Sequence, residues 1–534
     1  MTVDTSKLSF SPFALMFSLG LFFLLLIAYW PSFSVPFYLD DRTSISDNLL
    51  LSHGSMLELF HVYGLRFITY LSFWLNHQWF EGTLLSYHVV NFAIHLVNGF
   101  LVYRLTSLLS EQFSTGLSVR QKTLLPLIVT AFWLLHPLNI QAVTYVVQRT
   151  AALVTLFVVL ATLSYLKLRL NKFSFLQCSL LALSIICGVL TKQNFFVVVI
   201  FIVLFEYYFM ASAKRLIQYS ILFALMVIAL AYPFYQELFQ ALSSLTKETT
   251  AISRSDYFIT QLLVLWQYIY KVFVPINLQL DMGVELVKES TGWHFLAFLA
   301  HGILISFAII QRKKIPLFTL GILWFYAGHS IESFVIPITD LAFEHRTYLP
   351  NIGFILAFVA LLSALKLNDK VMISIALVIV IFLAIATYQR NVLWQTPFDF
   401  YKNELSHSPN SPRSNAAFAE QLIKKGELAE AEKLFLVSVQ ANLKKGQVTV
   451  SALNNLMKVR FQQGKYQAGV QTAMLALKYI HQPKDKSYTL TTIAYGYIQM
   501  GWCDFALGLA KSAVKLDNSN EQAKSYVIHC NKVE

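Results

Sequence analysis

Charged residues and cysteines are scarce in this sequence of 534 residues. Asp, Glu, Lys and Arg make up only 13% of it, against about 25% in a typical soluble protein, while 56% is hydrophobic. This composition argues against a purely soluble multidomain enzyme. The four cysteines are too few for a disulfide scaffold, and no two of them have zinc-ligand spacing. Cys503 and Cys530 could form one disulfide if the tail lies in an oxidising compartment.

The sequence also lacks two signatures of nucleotide chemistry. No concentrated stripe of Lys and Arg with interleaved aromatic residues accompanies the net charge of +12, so a nucleic-acid partner is not expected. No glycine-rich loop of the kind that cradles phosphates is present, which argues against a nucleotide-sugar donor. The basic residues are instead distributed as in a membrane protein, between apolar segments.

Eleven apolar stretches are each long enough to cross the ~30 Å hydrocarbon layer as a helix. The first stretch ends in Trp30-Pro31 without the small residues of a signal cleavage site, so we expect it to remain as an anchor. The sequence thus predicts an all-α polytopic membrane protein. The predicted spans are residues 12–31, 86–108, 123–138, 146–166, 174–190, 194–210, 216–235, 293–311, 315–335, 350–365 and 371–388.

Lys and Arg concentrate in alternate connections between these spans. Because basic residues favour the cytosolic side, we predict a cytosolic N-terminus and a C-terminus on the opposite side. Two long outer loops, 31–85 and 236–292, carry amphipathic, aromatic-rich stretches typical of segments that lie on a membrane surface. The basic residues of the predicted cytosolic connections are Lys7, Arg104, Arg120, Lys122, Lys167, Arg169, Lys172, Lys214, Arg215, Arg312, Lys313, Lys314, Lys366 and Lys370.

A repeat follows the last predicted span. Gly426, Gly464 and Gly501 recur at spacings of 38 and 37 residues, each after an apolar helix pattern. The pattern that follows each glycine contains small residues, as in the two antiparallel helices of a tetratricopeptide repeat. We therefore predict a membrane domain over 1–390, a linker over 391–412 and a soluble α-solenoid of about three repeats over 413–534. A generic helical bundle is the alternative. A groove between such repeats binds peptides or partner proteins.

Two adjacent carboxylates, Asp40 and Asp41, follow the first predicted span directly. Just outside a bilayer, such a pair can act as a general base. It can also hold a divalent cation, such as Mg²⁺ or Mn²⁺, that binds phosphate. For an isolated pair of aspartates, the alternative is simply the start of a solvated loop.

Further polar residues lie at the same predicted outer face. His136 ends the third span, Arg149 opens the fourth, and Lys192 separates two closely connected spans. Glu344-His345-Arg346 joins the ninth and tenth spans. Taken singly, each is explained as a helix end or as a cation that snorkels to the surface. Taken together with the aspartates, they suit the binding of an anionic phosphate beside a proton acceptor.

Five motifs occur in an order that resembles one family. They are Asp40-Asp41 with Ile45 and Asn48; Arg66 with Leu71 to Asn76; His95 to Asn98; His136-Pro137 with Gln141; and Glu344 to Pro350 with Gly353. Their order is similar to that in bacterial relatives of the transmembrane and tetratricopeptide-repeat protein O-mannosyltransferases. These enzymes belong to the GT-C superfamily of polytopic glycosyltransferases. The resemblance covers the spans and the tail alike.

This resemblance implies a sugar donor carried on a polyprenyl or dolichyl phosphate, and transfer to Ser or Thr of an exported protein. In such enzymes an aspartate of the first outer loop is the base, a role that falls on Asp41 and next on Asp40. The residues expected to contact the lipid phosphate are Arg346, Arg149 and Lys192. Those expected to orient the acceptor or the arginine are Glu344, His345, His136 and Arg66.

The sequence departs from the family pattern at two positions. Phe67 follows Arg66 where family members often have proline. The turn between the fifth and sixth spans reads Lys192-Gln193 where they tend to have Lys-Glu. The missing carboxylate puts an acid role at this turn in doubt, and it could signal an altered donor or acceptor, or a weakened enzyme.

These features predict an inverting displacement at the non-cytosolic face, with a lipid-linked sugar, membrane lipids and a protein held by the repeats as partners. Two alternatives stay open. One is a non-catalytic, membrane-anchored repeat scaffold for envelope or pilus assembly, and the other is a lipid-linked polysaccharide ligase or polymerase. A transporter is less favoured because the charged groups cluster outside the membrane. The resemblance implies a bacterial inner membrane, whereas topology alone would also suit an endoplasmic reticulum.

Overall fold

The computed structural model describes residues 12–114, 116–171, 173–207, 252–335, 337–365, 367–444 and 450–532. Within these residues all the regular elements are helices. The chain divides into two compact units, Met1–Gln395 and Thr396–Glu534. The first unit contains the apolar helices, and the second contains the repeated segment.

The α-helices of the first unit differ widely in length, from a single turn to 30 residues. Short 3-10 and π segments join several of them. In chain order the described α-helices are α1 (Pro12–Tyr29), α2 (Leu49–His53), α3 (Met56–Tyr63), α4 (Phe67–Phe80), α5 (Leu84–Phe113), α6 (Val119–Leu134), α7 (Ile140–Val143), α8 (Arg149–Leu170), α9 (Phe175–Val189), α10 (Val197–Phe205), α11 (Arg254–Phe273), α12 (Gly292–Ile310), α13 (Pro316–Ser330), α14 (Pro350–Ala364) and α15 (Asp369–Gln395).

Five helical segments of the described residues are long and apolar enough to cross a membrane. A sixth arises if α6 and the segment Pro137–Val143, which is bent from it by 52°, form one broken span. The bend follows from Pro137, because proline cannot continue the hydrogen bonding of the preceding helix. The five segments are Leu15–Ser34, Leu84–Phe113, Val146–Leu170, Gly292–Lys313 and Asp369–Gln395.

The prediction of eleven spans is supported in part. Three further apolar helices, Phe175–Val189, Gln193–Phe205 and Pro350–Ala364, are shorter than a full crossing requires. The structure therefore supports a helical membrane protein, while the total of eleven spans and the orientation stay predictions. Several predicted features lie outside the described residues: the span 216–235, residues 236–251 of the second outer loop, and the cytosolic cations Lys7, Lys172, Lys214, Arg215 and Lys366.

Helices α13 and α14 cross at two glycines. A side chain on Gly321 would overlap the carbonyl oxygen of Gly353, and one on Gly353 would meet Gly321 and Trp324. Small residues at a crossing allow the backbones of two membrane helices to approach closely. This contact matters for the site described below, because the segments that follow α13 and precede α14 carry charged residues of that site.

We expect Gly321→Ala to destabilise the first unit by about 1–3 kcal/mol, because the added methyl group must push the two helices apart. Gly302→Ala is the matched control, since Gly302 lies in α12 and a side chain there meets nothing. The thermal unfolding midpoint of the two variants in the same detergent tests this. Equal midpoints for both variants would contradict the close approach of α13 and α14.

The second unit consists of successive helices joined by short turns. In chain order they are α16 (Pro397–His407), α17 (Pro412–Lys424), α18 (Leu428–Lys444), α19 (Val450–Gln462), α20 (Tyr466–Leu477), α21 (Pro483–Gln499), α22 (Cys503–Leu516) and α23 (Glu521–Asn531).

The three repeated glycines lie in the turns between paired helices of this unit. Gly426, Gly464 and Gly501 have φ values of 81°, 73° and 77°, a left-handed conformation that glycine adopts without steric cost. Small residues after each turn, such as Ala431 and Ala506, are fully buried where the two helices meet. Both features fit the predicted repeats, and the assignment as a tetratricopeptide solenoid stays a prediction.

The cysteines of the second unit share one hydrophobic cluster. Cys530 is buried there with Ala506 and Ala510, and Cys503 packs against the same cluster from the start of α22. The disulfide between them stays a prediction.

Candidate active site

The two adjacent aspartates have opposite environments. Asp40 is exposed, whereas only 1% of the surface of Asp41 is exposed. The turn that precedes them begins at Leu39, whose φ of 32° lies in the left-handed region that L-residues rarely adopt. The hydroxyl of Tyr145 accepts a 3.0 Å hydrogen bond from the backbone N–H of Asp40 and so fixes this turn against the segment before α8.

Both carboxylate oxygens of Asp41 accept backbone hydrogen bonds. The N–H of Val147 donates to Oδ1 at 2.7 Å, and the N–H of Tyr38 donates to Oδ2 at 3.1 Å. Burial nevertheless raises the pKa of Asp41 from 3.8 to about 8, against the opposing effect of these hydrogen bonds. The buried side chain of Asp41 therefore links the first loop to the segment before α8. A substrate cannot reach it without movement of the turn.

Asp40 offers the accessible carboxylate of the pair. In the part of the chain that the structure describes, its side chain makes no hydrogen bond or ion pair with the protein. The segment after it packs through Ile45 on a hydrophobic cluster that also contains Phe73 and Tyr87, with Phe67 at its edge. Asp40 is thus exposed on a turn whose backbone is held from both sides.

Arg149 lies in the interior rather than at a surface. It is completely buried, and its Nε donates to Asn91 Oδ1 at 2.5 Å. Its two terminal nitrogens donate to carbonyl oxygens of Ser72 and Tyr87, both at 3.1 Å, and its guanidinium stacks on the ring of Phe73. The predicted contact of Arg149 with a lipid phosphate does not agree with this geometry. Arg149 instead joins α4, α5 and α8.

Lys192 and Arg346 meet on one buried carboxylate, that of Glu332. Lys192 Nζ lies 2.6 Å from Glu332 Oε1, and Arg346 Nε lies 3.9 Å from Oε2. All three side chains are at least about nine-tenths buried. We call this set the Glu332 cluster. It contains two cations and one anion, and the charge of Asp340 also acts on Arg346.

Arg66 adds a further cation beside this cluster. The pKa of the Lys192 amine is lowered chiefly by burial. The positive charges of Arg346 and Arg66 lower it further, so Arg66 lies close enough to Lys192 to act on it. A backbone hydrogen bond of 2.9 Å from Ile68 N–H to Leu190 O joins the start of α4 to the turn that carries Lys192. Arg66 is half-buried, and within the described residues it has no carboxylate partner. It is therefore available to an anionic ligand.

Glu344 forms a second buried cluster with two cations. Arg390 Nη1 lies 2.6 Å from Glu344 Oε2, and Lys271 Nζ lies 3.6 Å from Oε1. The backbone N–H of Gln279 also donates to Oε1 at 2.7 Å. Glu344 is fully buried and connects its own segment to α15 and to residues 271–279, so its geometry is that of a structural link. It does not face a position where an acceptor hydroxyl could lie.

The two predicted histidines also have protein partners. His136 is buried, its Nε2 contacts the carbonyl oxygen of Val272 at 3.0 Å, and its Nδ1 accepts the N–H of Leu138 at 3.2 Å. One neutral tautomer satisfies both contacts. The backbone N–H of His345 donates to Gln141 Oε1 at 2.7 Å, and its ring is half-buried. His136 is thus a helix-end residue, whereas His345 lies near Glu332.

Three charged partners in these clusters escaped the sequence prediction: Glu332, Lys271 and Arg390. Glu332 could have been found, because a carboxylate within the apolar stretch 315–335 calls for a partner. Arg390 lies two residues after the last predicted span and was open to the same argument. Lys192 pairs with the carboxylate of Glu332, although the residue after it is Gln193 and not the glutamate that family members tend to have there.

The described residues offer little to a metal ion. They contain no group of three or more His, Cys, Asp or Glu side chains that could hold one. Both oxygens of Asp41 are engaged by backbone N–H groups, which leaves Asp40 as the single accessible carboxylate of the pair. The aspartates therefore do not fit a metal site in this arrangement, and we derive no step through Mg²⁺ or Mn²⁺.

Comparison with known proteins agrees with the family that the motifs suggest. The chain is 24% identical over 381 residues to "Protein O-mannosyl-transferase F38B6.6" from Caenorhabditis elegans. The aligned region covers 69% of this chain and 52% of the relative, so the chain spans about half the length of that protein. No family model matches the chain.

This similarity supports the resemblance to the protein O-mannosyltransferases that the motifs suggest. The bacterial origin and the membrane compartment stay predictions, as do the lipid donor and the acceptor. The identity is low enough that the roles of individual residues have to be argued from their positions in this structure.

The raised pKa of Asp41 makes the stability of the first unit depend on pH. Because the folded protein retains a proton that the unfolded chain releases above 3.8, Asp41 favours folding most at low pH. This contribution is lost progressively as the pH rises to about 8. We expect the unfolding midpoint in detergent to fall over this interval, and Asp41→Asn to flatten the slope. Glu111→Gln, which removes an exposed carboxylate that does not act on Asp41, is the control and should leave the slope unchanged.

Loss of the Glu332 carboxylate should be strongly destabilising. Glu332→Gln leaves Lys192 and Arg346 as buried cations without their shared anion, a change that costs about 3–5 kcal/mol. Glu111→Gln removes an exposed carboxylate and serves as the control. Thermal unfolding of both variants in the same detergent measures the difference. A Glu332 variant as stable as the control would show that the ion pairs do not hold this region together.

Proposed function

We propose that this protein is a membrane glycosyltransferase that moves a sugar from a polyprenyl-phosphate-type lipid to Ser or Thr of an exported protein on the non-cytosolic face. One arrangement carries the proposal. Asp40 is an exposed carboxylate, and Arg66 is a half-buried cation that has no carboxylate partner among the described residues. The segments that carry these two residues pack on the same hydrophobic cluster. A proton acceptor and an anion-binding group in one region are what such a transfer needs.

The proposed step is a single displacement. The carboxylate of Asp40 takes the proton of the acceptor hydroxyl while that oxygen forms a bond to the anomeric carbon of the sugar. The bond from this carbon to the phosphate oxygen breaks, and its electron pair stays on the lipid phosphate. Attack from the side opposite the leaving group inverts the anomeric centre. We assign the base to Asp40 rather than Asp41, because the side chain of Asp41 is buried and engaged.

Charge near the Lys192 turn suits the leaving phosphate. The Glu332 cluster contains two cations and one carboxylate, and Arg66 adds a further positive charge that interacts with Lys192. A phosphodiester carries one negative charge, which grows as the sugar departs. Fixed cations in a water-poor region stabilise such developing charge without reorganising. We therefore assign the phosphate contact to Arg66, with the buried Lys192 and Arg346 adding positive charge behind it.

Two further parts of the proposal rest on the similarity and on the second unit. The name of the relative makes mannose the first sugar to test. Paired helices joined by glycine turns are typical of repeat domains that bind peptides, which favours a protein as the acceptor. A polyprenyl-phosphate donor fits the absence from the sequence of a glycine-rich nucleotide loop. A bacterial inner membrane with a cytosolic N-terminus is the proposed setting.

Asp40→Asn should reduce sugar transfer by at least about 100-fold, because it removes the proton acceptor. Asp41→Asn should reduce it less, since an amide still accepts one of the two backbone hydrogen bonds. Arg42→Gln alters the exposed neighbour of the pair and should leave transfer unchanged. The intact masses of exported proteins from cells that carry each variant measure the transfer.

Other outcomes would point elsewhere. An inactive Asp41→Asn variant beside a fully active Asp40→Asn variant, both normally inserted, would return the base to Asp41. If the masses of exported proteins are the same with and without the gene product, the scaffold alternative replaces the enzyme. Sugar lost from a polysaccharide rather than from a protein would identify a ligase or polymerase.

A further inference from the structure

We infer that Asn48 is a positioning residue that fixes the spacing between the carboxylate of Asp40 and the guanidinium of Arg66. This inference rests on the proposed function and concerns how the two reacting groups are held. Asn48 lies between them in the sequence, and its side chain bonds to both of the segments that carry them. The Asn48 side chain thus joins the segment after Asp40 to the segment before Arg66.

The amide of Asn48 makes three hydrogen bonds. Its nitrogen donates to the carbonyl oxygen of Ser44 at 2.9 Å and to the hydroxyl of Tyr63 at 2.7 Å. Its oxygen accepts the backbone N–H of Leu50 at 3.2 Å and so caps α2. Both amide protons and one oxygen lone pair are used in this way, and the side chain is only partly exposed.

On one side the link reaches the aspartate turn. Ser44 lies in the π-helical segment Arg42–Ser46, which begins directly after Asp41. Asp41 is itself bonded to Val147 and Tyr38, so the segment is fixed at its start by Asp41 and at its end by Asn48. The orientation of Asp40 depends on both attachments.

On the other side the link reaches the residues before Arg66. Tyr63 ends α3, and its ring stacks on Tyr70 of α4 with centroids 3.5 Å apart and planes inclined by 5°. Gly64, with a φ of 46°, turns the chain between Tyr63 and Arg66. A Tyr63 fixed by stacking and by Asn48 therefore determines where the short segment Gly64–Arg66 begins.

Only an amide meets all three demands at this position. Ser44 O is an acceptor and needs a donor, whereas Leu50 N–H is a donor and needs an acceptor. The substitution Asn48→Asp would retain the cap of α2 but would place a carboxylate against the carbonyl oxygen of Ser44. The substitution Asn48→Ala would lose all three bonds. A comparison of the two variants thus separates the cap from the link between the two segments.

A change in spacing should affect the rate more than donor binding. Arg66 remains able to bind the lipid phosphate when Asn48 is replaced, because its side chain does not bond to the amide of Asn48. The base, however, must approach the acceptor hydroxyl while the sugar–phosphate bond breaks, and a misplacement of about 1 Å can cost about 100-fold in rate. We therefore expect kcat to fall while KM for the donor stays nearly constant.

The experiment uses membrane vesicles that contain the full-length protein and exported proteins, titrated with a synthetic polyprenyl-phosphate mannose. We expect Asn48→Ala and Asn48→Asp to lower kcat by about 10- to 100-fold, with KM for the donor within about 2-fold of the wild type. Tyr63→Phe should lower kcat by less, and the double variant Asn48→Ala/Tyr63→Phe should be no worse than Asn48→Ala alone. Asn368→Ala, which removes the exposed cap contact to Lys370, is the matched control with unchanged kcat.

Hydrogen exchange of the same variants separates the possible failures. Asn48→Ala should raise exchange in 39–47 and in 60–66 together, whereas Asn368→Ala should raise it in neither. Wild-type kcat in Asn48→Ala, or effects of Asn48 and Tyr63 that multiply, would overturn the positioning role while the proposed function stands. Absence of transfer by the wild-type protein would overturn the proposed function and this role with it, even if the exchange pattern is as expected.

Discussion

Charges buried among apolar helices constrain this structure more than any other interaction. A cation or carboxylate removed from water is tolerated only when it is paired and hydrogen-bonded. The 2.6 Å contact between Lys192 and Glu332 meets this requirement, and so does the 2.6 Å contact between Arg390 and Glu344. Each pair joins segments far apart in the sequence. The positions of the short connections between helices follow from these pairs.

The same constraint divides the conspicuous polar residues into two kinds. Arg149, Glu344 and Asp41 are buried and have partners on several segments, so they define the shape of the region. Asp40 and Arg66 retain exposed or partly exposed groups, so they are available for chemistry. In this protein, membership of a sequence motif therefore does not indicate which residues are accessible to a substrate.

Much of the helical organisation was predictable from the sequence, because long apolar runs and glycine spacing are local signals. The helices over 84–113 and 369–395 and the turns at Gly426 and Gly464 follow from them directly. The candidate site was predictable only as a set of residues. Burial of Asp41 but not Asp40 depends on Val147, and the partner of Lys192 lies in another helix. Such tertiary contacts leave no local pattern in a single sequence.

The left-handed conformation of Leu39 has a consequence for how this loop can change its length. Asp40 and Asp41 follow this turn as adjacent residues of a short helical stretch, with Asp40 exposed and Asp41 buried. An inserted or deleted residue here would move Asp41 away from the N–H groups of Tyr38 and Val147. Side chains on the exposed part of the loop can vary, but the number of residues between Tyr38 and Asn48 is fixed by the bonds at both ends.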